Sequence, residues 1–139
     1  MLYTSYFGKI KKLPKNVYPI SIAFSSPTWF TNGRIVELMP PGNLLRDYKN
    51  GLINEDEYTK IYTEKVLDKL NPSDIIHEIV YTNKAEIADK LKDSGAEIWS
   101  NPDIHAALCC YEKVGDFCHR TLVAKWLTEA GFPCTEWEG

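Results

Sequence analysis

The chain has 139 residues, of which 44% are hydrophobic and 25% charged, and its formal net charge is -3. Those proportions are ordinary for a globular protein and exclude disordered and fibrous classes, while the mild negative charge argues against general electrostatic affinity for nucleic acid or an anionic membrane. The length predicts one domain over 1–139, large enough to bury a core without staples.

The opening stretch, MLYTSYFGKIKKLPKN, lacks the apolar centre of a signal peptide, and no run approaches the roughly 20 apolar residues of a membrane span. A cytoplasmic protein with no membrane partner is therefore expected. The four cysteines, Cys109, Cys110, Cys118 and Cys134, cluster late in a chain of ordinary size. That pattern is unlike a secreted disulfide framework and predicts reduced thiols.

Leu2 to Tyr6 alternates apolar, aromatic and hydroxyl residues and meets Phe7-Gly8, which predicts a first strand ending in a turn. Lys9, Lys11, Lys12 and Lys15 then form either a solvated loop or a basic rim for an anionic ligand. Tyr18 to Ser25 is the second predicted strand, with Ile20, Ile22 and Phe24 on one face and Ala23 and Ser25 on the other. Residues 27 to 42 hold three prolines and two glycines with no lasting period. This predicts a long loop, with a short strand allowed at Arg34 to Leu38. Trp29, Phe30 and Arg34 are its candidate ligand contacts, the alternative being that the aromatics pack onto the core.

Asn43 to Asn50 predicts a short helix closed by Gly51. Asn54 and Glu57 form a capping-box pattern before Tyr58, Ile61 and Tyr62, which recur at helical spacing. Pro72 suits a first helical residue, and residues 72 to 81 read as helix or strand, with helix preferred. Asn83 and Glu86 repeat the capping pattern before a helix stopped by Gly95, and Ala96 to Trp99 suggests a short strand. Ile104 to Tyr111 is apolar on both faces, as a central parallel strand covered by helices should be. A short polar loop follows, with Asp116 as the expected N-cap of a helix running to Gly131. The fold class expected is α/β: a three-layer arrangement with a small, mainly parallel sheet flanked by helices.

In such a sheet, ligands collect outside the carboxyl ends of the strands. Ser5 and Tyr6, then Ser25 and Ser26, then Glu112 with Cys118-His119-Arg120 are the polar groups placed there by topology. A thiol in the first helical turn tends toward thiolate, so Cys118 is a candidate nucleophile. It also shares a helical stripe with Leu122 and Trp126, which instead suggests a packed thiol. Cys109 and Cys110 read as small core residues.

Arg120 lies about 200° around the helix from Cys118. Its planar fork suits phosphate or carboxylate, or an ion pair with Glu112. His119 is a candidate acid or base, and Glu112 a candidate base or ribose-hydroxyl acceptor. The spacing excludes a Cys-x5-Arg phosphatase loop, because Val114 stands six residues before Arg120. Cys110, Cys118, His119 and Cys134 lack the paired close spacings of a structural zinc site, so no metal is expected. No Walker or glycine-rich dinucleotide motif occurs, and no cofactor is implied.

The run Leu108-Cys109-Cys110-Tyr111-Glu112-Lys113, followed by Cys118-His119-Arg120 and Leu122-Val123-Ala124-x-Trp126-Leu127, resembles the signature of the domain-of-unknown-function 488 family of small bacterial and phage proteins. Tyr3-Thr4-Ser5-Tyr6 is similar to that family's opening strand. The resemblance implies a compact α/β domain with its signature at one sheet edge, and it brings no activity with it.

Two functional expectations follow. One is a binding module for an anionic, phosphate-bearing or nucleotide-like small molecule, using Arg120, the strand-end hydroxyls and the aromatic loop. The other is an enzyme with Glu112 or His119 as acid-base and Cys118 as nucleophile, acting on a nucleoside-type substrate. A structural motif without ligand is the third reading. The sequence carries no signal of oligomeric state.

Overall fold

The computed structural model describes residues 2–82, 105–112 and 117–138. Its centre is a four-stranded sheet in which every pairing is parallel, with strand order β2-β3-β1-β4. The strands are β1 (Leu2–Tyr6), β2 (Val17–Ser21), β3 (His105–Cys110) and β4 (Cys134–Glu136). The helices are α1 (Gly42–Lys49), α2 (Glu55–Lys65), α3 (Pro72–Thr82) and α4 (His119–Glu129).

This order explains which face each segment covers. The connection from β1 to β2 runs one way across the sheet, and those from β2 to β3 and from β3 to β4 run the other. Right-handed crossovers therefore put the first connection on one face and the helices on the opposite face. The side chains agree. Alternate residues of β3 divide between two cores, Ala106 and Leu108 joining the helices and Ala107 and Cys109 joining Phe7, Ile10 and Leu13. The result is a three-layer α/β fold with apolar packing on both faces of the sheet, as the doubly apolar β3 requires.

Several local expectations hold. Asn54 accepts from the Glu57 backbone N–H at 2.8 Å and Glu57 returns a contact to the Asn54 N–H at 3.1 Å, a complete capping box. Gly51 has φ of +75°, the left-handed conformation that ends α1. Pro72 begins α3, so the helical reading of that segment is the correct one.

Other boundaries move. Lys9, Lys11 and Lys12 lie on a 3-10 helix, Phe7–Lys12, instead of an open loop, and Lys15 follows it in a turn. β2 stops at Ser21, four residues short of the predicted end, because Ser21 turns to bridge Arg34 and its Oγ lies 3.4 Å from the Ala23 N–H. Arg34 makes only that isolated bridge, and Val36–Leu38 is a 3-10 turn. β4 is absent from the sequence reading. It is three residues long, and it pairs with β1 after Gly131 reverses the chain at φ of +96°. The N-cap of α4 is Cys118, two residues after the expected Asp116, so the helix starts later than predicted. The Asn83 capping pattern, the Gly95 stop and the strand suggested at Ala96 to Trp99 lie outside the described residues.

Candidate functional site

β1 and β3 are adjacent strands whose onward connections depart in opposite directions, which leaves a crevice above their carboxyl ends. A cleft opens beside it. One cavity of about 430 Å³ is lined by Tyr48, Lys49, Tyr58, Glu112, Phe117 and His119, with Cys118 in the same wall. A second, of about 300 Å³, reaches Phe24, Ser25, Cys110 and Tyr111 and shares Leu45, Lys49, Glu112 and His119 with the first. The aromatic wall is itself packed, with Phe117 centred 5.3 Å from Tyr48 and 5.1 Å from Tyr58.

Cys118 is the N-cap of α4 and makes no side-chain capping bond, so it leaves the first-turn amides to other acceptors. The buried face of α4 carries His119, Arg120, Val123 and Leu127. Cys118 is buried at 4% exposure, as the packed-thiol reading expects, but the Leu122-Trp126 part of the stripe is rotated away by about one residue. Leu122 and Trp126 are only partly buried, whereas Arg120 is 2% exposed.

That rotation corrects the reading of Arg120 as a ligand contact. Its Nε and Nη2 donate to the two carboxylate oxygens of Glu136 at 3.0 and 3.2 Å. Nη1 donates to Cys110 Sγ at 2.9 Å and to the Glu112 carbonyl oxygen. Four of the five guanidinium donors are thus engaged within the fold. The ion-pair partner is Glu136, not the expected Glu112 carboxylate. Glu136 is further held by the Thr4 hydroxyl, which donates at 2.7 Å. Tyr6 stacks its ring 5.9 Å from the guanidinium carbon, so it supports Arg120 and does not line the cleft.

His119 is 5% exposed, and its Nε2 lies 2.7 Å from the Ile22 carbonyl oxygen. A carbonyl only accepts, so the proton sits on Nε2 and the Nδ1 lone pair faces Cys118 Sγ at 3.6 Å. Burial lowers the imidazole pKa to about 4; the Ile22 bond opposes this shift and the Arg120 charge adds to it. His119 is therefore neutral at neutral pH and poorly matched to acid-base work there. Burial also raises the Tyr58 phenol well above its ordinary value, with the negative charge of Glu112 adding to the effect.

Cys110 and Cys118 are paired as a disulfide, which corrects the expectation of four reduced thiols. A nucleophilic Cys118 thiolate is unavailable while that bond stands. Cys109 and Cys134 are free and buried, and burial pushes both thiols up to about 12, which leaves them inert.

Among the remaining predicted contacts, Ser25 lines the second cavity. Ser5 is fully buried, with no partner for its hydroxyl among the described residues. The Ser26 hydroxyl donates to Ser21 Oγ at 2.7 Å. Arg34 donates to the Phe24 carbonyl at 3.0 Å and contacts Met39, so it braces its own loop. Trp29 is 57% exposed and packs edge-on against Phe7 and Phe30. Trp29 and Arg34 are thus loop-bracing groups outside the walls of both cavities.

The sequence reading missed Tyr48, Lys49, Tyr58 and Phe117 as site residues. Tyr48 and Lys49 end α1, and only the tertiary packing of α1 against α2 turns them toward β3. Comparison of the chain with protein-family models, curated proteins and solved structures found no match.

Proposed function

We propose that the protein is a binding module for a small anionic ligand of nucleotide type, received in the cleft above the carboxyl ends of the sheet. The observation that carries this reading is the composition of the larger cavity wall: the Lys49 ammonium, the Glu112 carboxylate and the rings of Tyr48, Tyr58 and Phe117 around one space of about 430 Å³. Aromatic rings accept a planar base by stacking. A carboxylate accepts from ribose hydroxyls, and an ammonium beside a helix start favours phosphate.

Arg120 is assigned to the fold and Lys49 takes over as the cation that meets the ligand. The catalytic alternative is less well supported, because His119 is held neutral and the Cys118 sulfur is bonded.

Calorimetry with a panel of nucleosides and their phosphates, on the wild type and Lys49→Ala, tests the reading. Lys49→Ala is expected to weaken a phosphorylated ligand by roughly tenfold, which is about 1.4 kcal/mol, and to leave the matching nucleoside unchanged. Absence of binding by every phosphorylated compound rejects it.

A further inference from the structure

Between the two cavities, three donors converge from the end of β3, the residue pair after it and the start of α4. Cys110 ends β3, Glu112 follows it, and Cys118 caps α4; their sulfur and carboxylate atoms all lie within 4.8 Å of one another. Two buried polar groups are aimed at the sulfurs, the Arg120 Nη1–H at Cys110 Sγ (2.9 Å) and the His119 Nδ1 lone pair at Cys118 Sγ (3.6 Å). The Arg120 N–H is the usual outer support of a thiolate ligand, and the His119 lone pair is placed to accept the Cys118 S–H proton as the thiol ionises. Glu112 lines both cavities while Cys110 and Cys118 each line one, so the cluster can be reached from solvent.

We propose that, once reduced, this cluster is a binding site for a thiophilic divalent cation of the zinc class, and that the Cys110–Cys118 disulfide is its closed form. The chemistry balances with a dithiol as reductant. The dithiol supplies two electrons and two protons, the S–S bond breaks to give two thiols, and the reductant leaves as its own disulfide. The cation then binds both sulfurs as thiolates, and the two thiol protons pass to solvent.

Two thiolates and one carboxylate form a donor set for zinc; calcium and magnesium take oxygen ligands instead. Tetrahedral zinc separates its sulfur and oxygen ligands by roughly 3.6–3.8 Å. The cluster therefore needs a contraction of only about 1 Å at the carboxylate, with the freed sulfurs moving apart. The sequence reading set a metal aside because it weighed Cys110, Cys118, His119 and Cys134 as the donors and left out Glu112, the carboxylate that completes the cluster.

The test uses Co2+ alone as probe, added to full-length protein reduced with dithiothreitol and then freed of reductant under argon. A thiolate-to-cobalt charge-transfer band in the near ultraviolet, saturating at one equivalent and displaced by Zn2+, is expected. The oxidised protein should give none. Cys118→Ser should abolish the band and Cys134→Ser should keep it. Should Cys118→Ser fail to fold, Glu112→Gln serves instead, with the band retained and Co2+ affinity reduced roughly tenfold or more. No band in reduced protein, equal binding by the oxidised form, loss of the band in Cys134→Ser, or unchanged affinity in Glu112→Gln would each overturn the proposal. Because no nucleotide enters this experiment, its outcome is independent of the nucleotide reading.

Discussion

Arg120 shows how one side chain can look like a ligand contact in sequence and serve the fold instead. Its charge is buried, and the Glu136 carboxylate that balances it retains 24% side-chain exposure. Breaking a buried pair leaves an uncompensated charge, and partial solvation of Glu136 reduces that cost. Arg120→Met is therefore expected to lower unfolding stability by roughly 2–4 kcal/mol, measured by urea denaturation. A loss below 1 kcal/mol would mean that the guanidinium is not fixed as described. The triplet Cys118-His119-Arg120 was legible as an unusual place, because three polar or reactive residues open an amphipathic helix. Their roles were not legible, since they depend on Glu136, Ile22 and Cys110, none of which is adjacent in sequence.

Among the elements, those with local causes could be read directly. The Asn54–Glu57 box, the left-handed Gly51 and Pro72 each act within four residues, and each marks a helix boundary found in the structure. Asn54→Ala is expected to cost about 1 kcal/mol, seen as a lower urea midpoint, while Asn54→Asp retains most of the stability. Equal stability of Asn54→Ala and wild type would show that the box contributes nothing. The rotation of α4 was not readable from its wheel, because two stripes compete there. Val123 and Leu127 win with Arg120 only because Glu136 on β4 receives the guanidinium. A three-residue strand such as β4 has too little alternation to be recognised before its partner β1 is known.

At the scale of the molecule, the apolar β3 announced a parallel sheet covered on both sides, and the handedness of its crossovers distributed the helices. The same assembly sets a pH dependence. His119 has its pKa lowered from 6.5 to about 4, so the unfolded chain takes up a proton in this range before the folded one does. Its contribution to stability is complete above pH 6.5 and is lost as the pH falls toward 4. Glu78 works in the opposite direction: burial, with the hydrogen bond and charge of Glu37 adding to it, raises its carboxyl to about 7. That contribution is present below 4.5 and lost as the pH rises through 7. Glu78 is partly exposed, so solvent screens its share, and the His119 slope should dominate. Urea unfolding of the disulfide form without added metal is expected to give a stability lower at pH 5 than at pH 7, by about 2 kcal/mol in Glu78→Gln, where His119 acts alone, and by less in the wild type, where Glu78 opposes it. A flat profile in Glu78→Gln would exclude a buried neutral His119.

β1 occupies the middle of the sheet, yet Leu2 is in register with Ala106 on one side and Cys134 on the other. A ribosome adding about 5–20 residues per second polymerises Leu2 roughly 5 to 20 s before Ala106, and Leu2 leaves the ribosome well before its partner strand exists. During that interval the future centre of the protein is an unpaired strand bearing Leu2 and Tyr3, a template for any other extended chain nearby. Chain order thus makes biogenesis, rather than the finished fold, the stage at which this molecule is most exposed to misassembly, and it gives a holding chaperone a definite segment to shield.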